Sequence, residues 1–181
     1  MSLRTDAQAE LSAWTAPTPE QAALRAAYLD YLAEHPDAMA RTCRPAHLTA
    51  SALVLDPVAG RVLLTLHPKV GRWLQLGGHC EPTDPTLAAA AAREASEESG
   101  LPELQVLGGP LRLDRHPVRP APDRSAADHL DVQYLALASH HGPIEVSAES
   151  LDLRWWPADA LPAGTDESVR ALVSCAIDLT R

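Results

Sequence analysis

Gly77-Gly78-His79-Cys80-Glu81-Pro82-Thr83-Asp84 runs into an alanine-rich stretch that ends Arg93-Glu94-Ala95-Ser96-Glu97-Glu98-Ser99-Gly100-Leu101. If the second half is helical, Glu94 lies three and four residues before Glu97 and Glu98, so all three carboxylates share one helical face. Like charges at those spacings repel and need a compensating cation. Arg93, the only arginine within reach on the helix, is one turn from Glu97 and cannot neutralise three acids. A hard divalent ion can, and Mg²⁺ or Mn²⁺ suits carboxylates, water and phosphate. Taken alone, the acidic run reads equally as a solvated helix face. The double glycine before it, the acidic turn and the closing Gly100-Leu101 favour a built site.

Together these positions resemble the Nudix box, G-x5-E-x7-R-E-U-x-E-E-x-G-U, where U is aliphatic. Gly78 and Asp84 stand for the first glycine and first glutamate, and Arg93, Glu94, Glu97, Glu98, Gly100 and Leu101 fill the remaining places. There are three departures. Asp84 is one methylene shorter than glutamate, one extra residue separates it from Arg93, and Ala95 stands where a larger aliphatic is usual. The extra residue falls in the turn Pro82-Thr83-Asp84-Pro85-Thr86, where a loop absorbs length without shifting the helix register. The resemblance covers about residues 42–181. It implies an α+β Nudix fold, a mixed β-sheet sandwiched between helices (α/β/α), with residues 1–41 as an N-terminal helical extension.

The resemblance also implies an activity, metal-dependent hydrolysis of a diphosphate linkage in a nucleoside diphosphate linked to another moiety. Glu97 and Glu98 are then the principal Mg²⁺ (or Mn²⁺) ligands, and Glu94 is a third ligand or the water-orienting base. A backbone carbonyl of Gly77 or Gly78 adds a ligand, and Arg93 orients a motif carboxylate. A further acid outside the motif often completes such a site, and Glu145 and Glu149 are the candidates. Two other readings share the fold: an isomerase of the isopentenyl diphosphate type, and a non-catalytic nucleotide-binding regulatory domain. The first depends on a placed cysteine and histidines, and it degrades the R-E-x-x-E-E pattern. The second generally loses motif acids, whereas this chain keeps all three.

Composition sets bounds on these readings. The chain has 181 residues, 46% of them hydrophobic and 22% charged, which suits one globular domain with an appendage. No apolar run reaches the ~20 residues needed to span a membrane, and no secretory leader is expected. Cys43, Cys80 and Cys175 are odd in number and form no CxxC pair, so a reducing cytoplasm is expected. A net charge of −9 argues against a duplex nucleic-acid partner. It is compatible with a phosphate-bearing small molecule, because a bound metal inverts the local field.

Thr18-Pro19-Glu20-Gln21 predicts a helix start, with Thr18 as N-cap and Gln21 completing a capping box. Leu24, Tyr28, Tyr31 and Leu32 recur at helical spacing until His35-Pro36. A shorter helix is expected over 6–14. The longer one lies on the main domain or on a partner subunit, which keeps a homodimer among the expectations. Strands are expected over 47–55, 61–66, 73–76, 104–113, 130–138 and 152–156, and helices over 87–99 and, capped by Thr165, 166–179. Residues 117–127 read as a proline-rich loop.

Several residues outside the motif are also candidates. His129, Asp131 and Gln133 share one strand face, which either lines the pocket or meets solvent. His67, Lys69 and Arg72 precede the glycine turn and could meet phosphates. Trp73 could stack a base or belong to the core. Cys80, without a placed base, reads as a small packed residue.

Overall fold

The computed structural model describes residues 2–102, 104–118, 127–138 and 142–180. The elements run α1 (Leu3–Ala13), α2 (Pro19–Glu34), β1 (Ala46–Asp56), β2 (Arg61–His67), β3 (Arg72–Leu74), β4 (Leu76–His79), α3 (Leu87–Ser99), β5 (Gln105–Val118), β6 (Ala127–Leu137), β7 (Asp152–Pro157) and α4 (Glu167–Thr180). The sheet orders β3-β2-β1-β6-β5, with β4 also on β1 and β7 also on β2. β1 and β6 pair in parallel and the other pairs are antiparallel, so the sheet is mixed.

β1 is central, and all eleven of its residues are buried. Its even positions Ala46, Leu48, Ala50, Ala52 and Val54 are apolar throughout, and they pack with α1, α2 and α3. Its odd positions change character along the strand. Leu53 and Leu55 pack under Val169, Leu172 and Val173 of α4, whereas His47, Thr49 and Ser51 form a polar end. One face of the sheet therefore carries three helices. The other carries α4 over its apolar half and leaves a polar half beside it.

Where structure and expectation differ, the reasons are physical. The expected 73–76 strand is two strands, because Leu74 pairs with Thr65 of β2 while Leu76 pairs with Ala52 of β1. β5 runs on to Val118 with a register shift between Leu107 and Arg112, where Gly108 takes a left-handed φ of 57°. It thus takes up the start of the expected loop, whose residues 119–126 lie outside the described residues. Thr18 caps α2 as expected, accepting from the Gln21 N–H at 3.3 Å. The reciprocal half of the box does not form. The Gln21 amide instead pairs with both backbone groups of Leu113 in β5, donating at 3.0 Å and accepting at 2.7 Å. α4 is capped by Asp166, which accepts from the Val169 N–H, while the Thr165 hydroxyl donates to the Pro162 carbonyl.

Candidate active site

α3 forms where the alanine run and its two caps dictate. Thr86 accepts from the Ala89 N–H, and Gly100 closes the helix at φ 70° in the left-handed region, where glycine carries no Cβ penalty. Ala90, Ala91 and Ala95 are fully buried against the sheet. A small residue at 95 thus serves close approach, which accounts for the departure from a larger aliphatic. That approach sets α3 against β4. A Cβ on Gly78 would stand 2.5 Å from Glu94 Oε2, and one on Gly77 would stand 2.3 Å from Ser51 Cβ. Only glycine fits at 77, and at 78 any side chain would displace the Glu94 carboxylate.

Arg93 ties the loop, the helix and the strand together. Its Nε and Nη2 each donate at 3.0 Å to one oxygen of Asp84, Nη2 also donates to the His79 carbonyl, and Nη1 reaches Glu94 and Glu97 at 3.1 and 3.2 Å. Asp84 also accepts from the Glu81 N–H at 2.7 Å. Burial works to raise the Asp84 carboxyl, but the Arg93 hydrogen bonds and the Glu81 N–H hold it below its usual range. Asp84 therefore anchors Arg93, a partnership that the spacing of the motif does not reveal.

The three glutamates occupy distinct environments. Glu97 is largely exposed. Glu98 is half-buried and accepts from the Gly77 N–H at 3.2 Å. Burial pushes its carboxyl up to about 7 against the pull of that N–H, with the charges of Glu94 and Glu149 adding to the rise. Burial likewise raises Glu94, with Arg93 opposing. Glu149 is exposed yet lies within electrostatic reach of both acids. Glu145 stands at the C-terminus of α3, its N–H donating to the Ser99 carbonyl. The negative charge against β4 thus exceeds what Arg93 offsets, and the available donors are carboxylate and backbone oxygens. That set fits a hard divalent ion. Glu94 and Glu97 share Arg93 Nη1, however, while Glu98 is turned to the Gly77 N–H. Among the described residues, two groups of three side chains bring ligand atoms within 4.8 Å of one another, His47–His79–His129 and His35–Asp37–Cys43, and the α3 glutamates form neither.

The remaining candidates are dispersed. Lys69 and Arg72 are exposed at the β2–β3 turn, and burial lowers the nearby His67. Trp73 packs edge-on to Trp156 at 5.2 Å in the core under α4. Cys80 is 8% exposed, and burial pushes its thiol up to about 12, so it is no activated nucleophile. His129, Asp131 and Gln133 do share a face, turned inward: Asp131 and Gln133 are 3% and 1% exposed. Asp131 accepts from Thr49 at 2.9 Å, Ser51 at 2.6 Å and Gln75 at 3.3 Å. Its oxygens are engaged in joining β1 to β6. The histidine group that includes His47 was not anticipated. His47 and His129 meet only through the parallel β1–β6 pairing, which sequence spacing does not express.

The family model described as NUDIX domain matches residues 45–174. The chain belongs to the Nudix family. Similar solved structures agree with this. A Nudix-family hydrolase from Clostridium perfringens shares 25% identity over 75% of this chain and 98% of its own, with a TM-score of 0.57. A MutT Nudix hydrolase from Burkholderia pseudomallei shares 24% over 70% and 95%, TM-score 0.53. The dihydroneopterin triphosphate pyrophosphohydrolase of E. coli shares 21% over 70% and 92%, TM-score 0.55. The last two, below 25% identity, bear on the fold alone. A search of curated proteins finds no match. As a Nudix hydrolase, the chain carries its family motif from Gly78 to Leu101, within the matched span.

Proposed function

We propose that this chain hydrolyses a diphosphate linkage in a nucleoside diphosphate joined to another moiety, with Mg²⁺ or Mn²⁺ as the cofactor. The observation that carries the reading is the under-compensated charge of Glu94 and Glu98 pressed against the glycines of β4. Glu97 and Glu98, with a carbonyl of Gly77 or Gly78, are the residues to hold the ion, and Glu94 is a third ligand or the group that orients water. When bound, such an ion offsets charge on phosphate oxygens, lowers the pKa of an attacking water and aligns it with the leaving group.

The chain's own groups prepare that chemistry. Arg93 fixes the strand end and the Asp84 loop against α3, so the glutamates keep their height over β4. Glu149 is the acid outside the motif best placed to join them, since it shares their field. Lys69 and Arg72 supply positive charge for outlying phosphates. His129 lines the polar half of the sheet, and Asp131 keeps that face in register. Free Cys43, Cys80 and Cys175 accord with a cytoplasmic setting. Among the described residues, no helix is long and apolar enough to cross a membrane.

The test is a phosphate- and nucleotide-release screen over nucleoside diphosphate derivatives with each metal. Glu97→Gln or Glu98→Gln is expected to lower turnover at least about a hundredfold, since charge stabilisation at the ion contributes several kcal/mol. Near-normal rates in both variants would overturn the assignment.

A further inference from the structure

The polar half of the sheet holds a convergence of ligand groups that the motif does not contain. His47 on β1 stands opposite His129 on β6, and Thr49, next on the same face of β1, stands opposite His79 at the end of β4. The three side chains therefore issue from one face of three bonded strands. A nitrogen from each lies within 4.8 Å of the others. The ring centroids are 5.1 Å apart for His47–His79, 4.9 Å for His47–His129 and 5.1 Å for His79–His129, at interplanar angles of 27°, 67° and 89°. The rings are splayed about a common centre and do not form one stack.

Their hydrogen bonding is incomplete. Nε2 of His129 is buried without a hydrogen-bond partner, and neither ring nitrogen of His47 makes a well-aligned hydrogen bond, although the Cys43 backbone acts on that ring. Leaving a buried polar atom unpaired costs about 1–3 kcal/mol, so a ligand that engages these nitrogens recovers that cost. Burial lowers His47 and holds His79 down to about 4 and His129 to about 3. Burial disfavours the charged ring, and neutral imidazole is the form that ligates a metal. The other group of three differs. Cys43 Sγ donates to Asp37 at 3.4 Å and His35 stacks on Tyr31 at 4.0 Å, so its members already have partners.

We propose that His47, His79 and His129 form a three-imidazole site for a borderline divalent transition metal of the Zn²⁺, Co²⁺ or Ni²⁺ class, separate from the carboxylates of α3. Nitrogen donors select such ions, whereas carboxylate oxygens select Mg²⁺ and Mn²⁺. Tetrahedral ligation with bonds of about 2.0–2.1 Å places nitrogens about 3.3 Å apart, so binding requires the rings to turn inward from their metal-free separation. Three neutral ligands leave the ion doubly charged with a fourth position open. The positive charge of Arg41 acts on all three histidines and opposes a bare cation, so an anionic oxygen as fourth ligand would offset it. The two sites share β4. Gly78 faces Glu94 and α3, and His79, the next residue, faces the opposite side of the sheet.

Crystals of the full chain soaked in Zn²⁺ test this without a variant. An anomalous peak among the three rings supports the site, and no peak there, or peaks at the α3 glutamates alone, overturns it. In solution, Co²⁺ titration should give the visible absorption of a nitrogen-ligated ion at one equivalent. That signal should persist in the Glu97→Gln/Glu98→Gln double variant and fall at least tenfold in affinity in His129→Gln. Loss in the glutamate variant with retention in His129→Gln would overturn the proposal.

Discussion

Arg93 makes more polar contacts than any other side chain of the motif: both oxygens of Asp84, Glu94, Glu97 and the His79 carbonyl. Asp84 is 7% exposed, so removing its partner strands a buried charge. Arg93→Ala should therefore cost about 3 kcal/mol, read from urea unfolding. In a double-mutant cycle with Asp84→Asn, the two losses should be less than additive; additive losses would mean that the pair is not coupled. His129 offers a second reading at this scale. Burial holds its folded pKa at about 3 against an ordinary 6.5, so the stability it contributes is complete above pH 6.5 and is lost as pH falls towards 3. Glu94, Glu98 and Asp131 are raised and act in the opposite sense, so the check is the ring-proton NMR titration of His129 in the metal-free chain. A midpoint near 6.5 would contradict the burial. That Glu94, Glu97 and Glu98 sit on one helix was legible from spacing, because helical periodicity places their backbone positions; that Glu97 is exposed while Glu98 is half-buried was not. The bond of Asp84 to Arg93 was not, because a loop lengthened by one residue does not reveal where its carboxylate turns.

At the scale of elements, β4 and α3 separate fold from chemistry in two adjacent residues. A Cβ on Gly77 meets Ser51 Cβ at 2.3 Å and Cα at 2.5 Å, and neither can move without shifting β1. The three atoms nearest a Cβ on Gly78 all belong to the carboxylate of Glu94, the far end of a flexible side chain. Gly77→Ala should therefore lower the melting temperature sharply, while Gly78→Ala should melt nearly as wild type yet hydrolyse substrate poorly. Thermal melts beside rate assays distinguish the two, and equal melting temperatures would refute the contrast. α3 was legible to the residue because the alanine run, Thr86 and Gly100 are all local signals. The division at Gln75 between β3 and β4 was not, since alternation says which way a side chain faces but not which strand lies alongside. The Gln21 amide departed from its box for the same reason, as Leu113 lies 92 positions away.

For the whole molecule, the two N-terminal helices were visible in the sequence, but the surface they cover was not. α1 and α2 place Ala7, Leu11, Tyr28 and Leu32, all fully buried, in the core shared with β1 and α3. Tyr28 donates to the Asp114 carbonyl at 2.7 Å, and Tyr134 donates to Glu10 at 2.6 Å. Deleting residues 2–34 should uncover Tyr134 and Leu113, which are fully buried, and abolish a cooperative thermal transition. A truncated chain that melts sharply near the wild-type temperature would instead make the extension an independent unit. One bond gives this arrangement a further consequence. Asp6 accepts from the Leu87 N–H at 3.1 Å, so the opening turn of α3 is completed by a residue from the far end of the chain. Whatever occupies the glutamates and steadies α3 must also strengthen the hold on α1, by linkage. Peeling the first helix away then becomes harder in the loaded protein, and the amino-terminal segment acts as a remote gauge of occupancy.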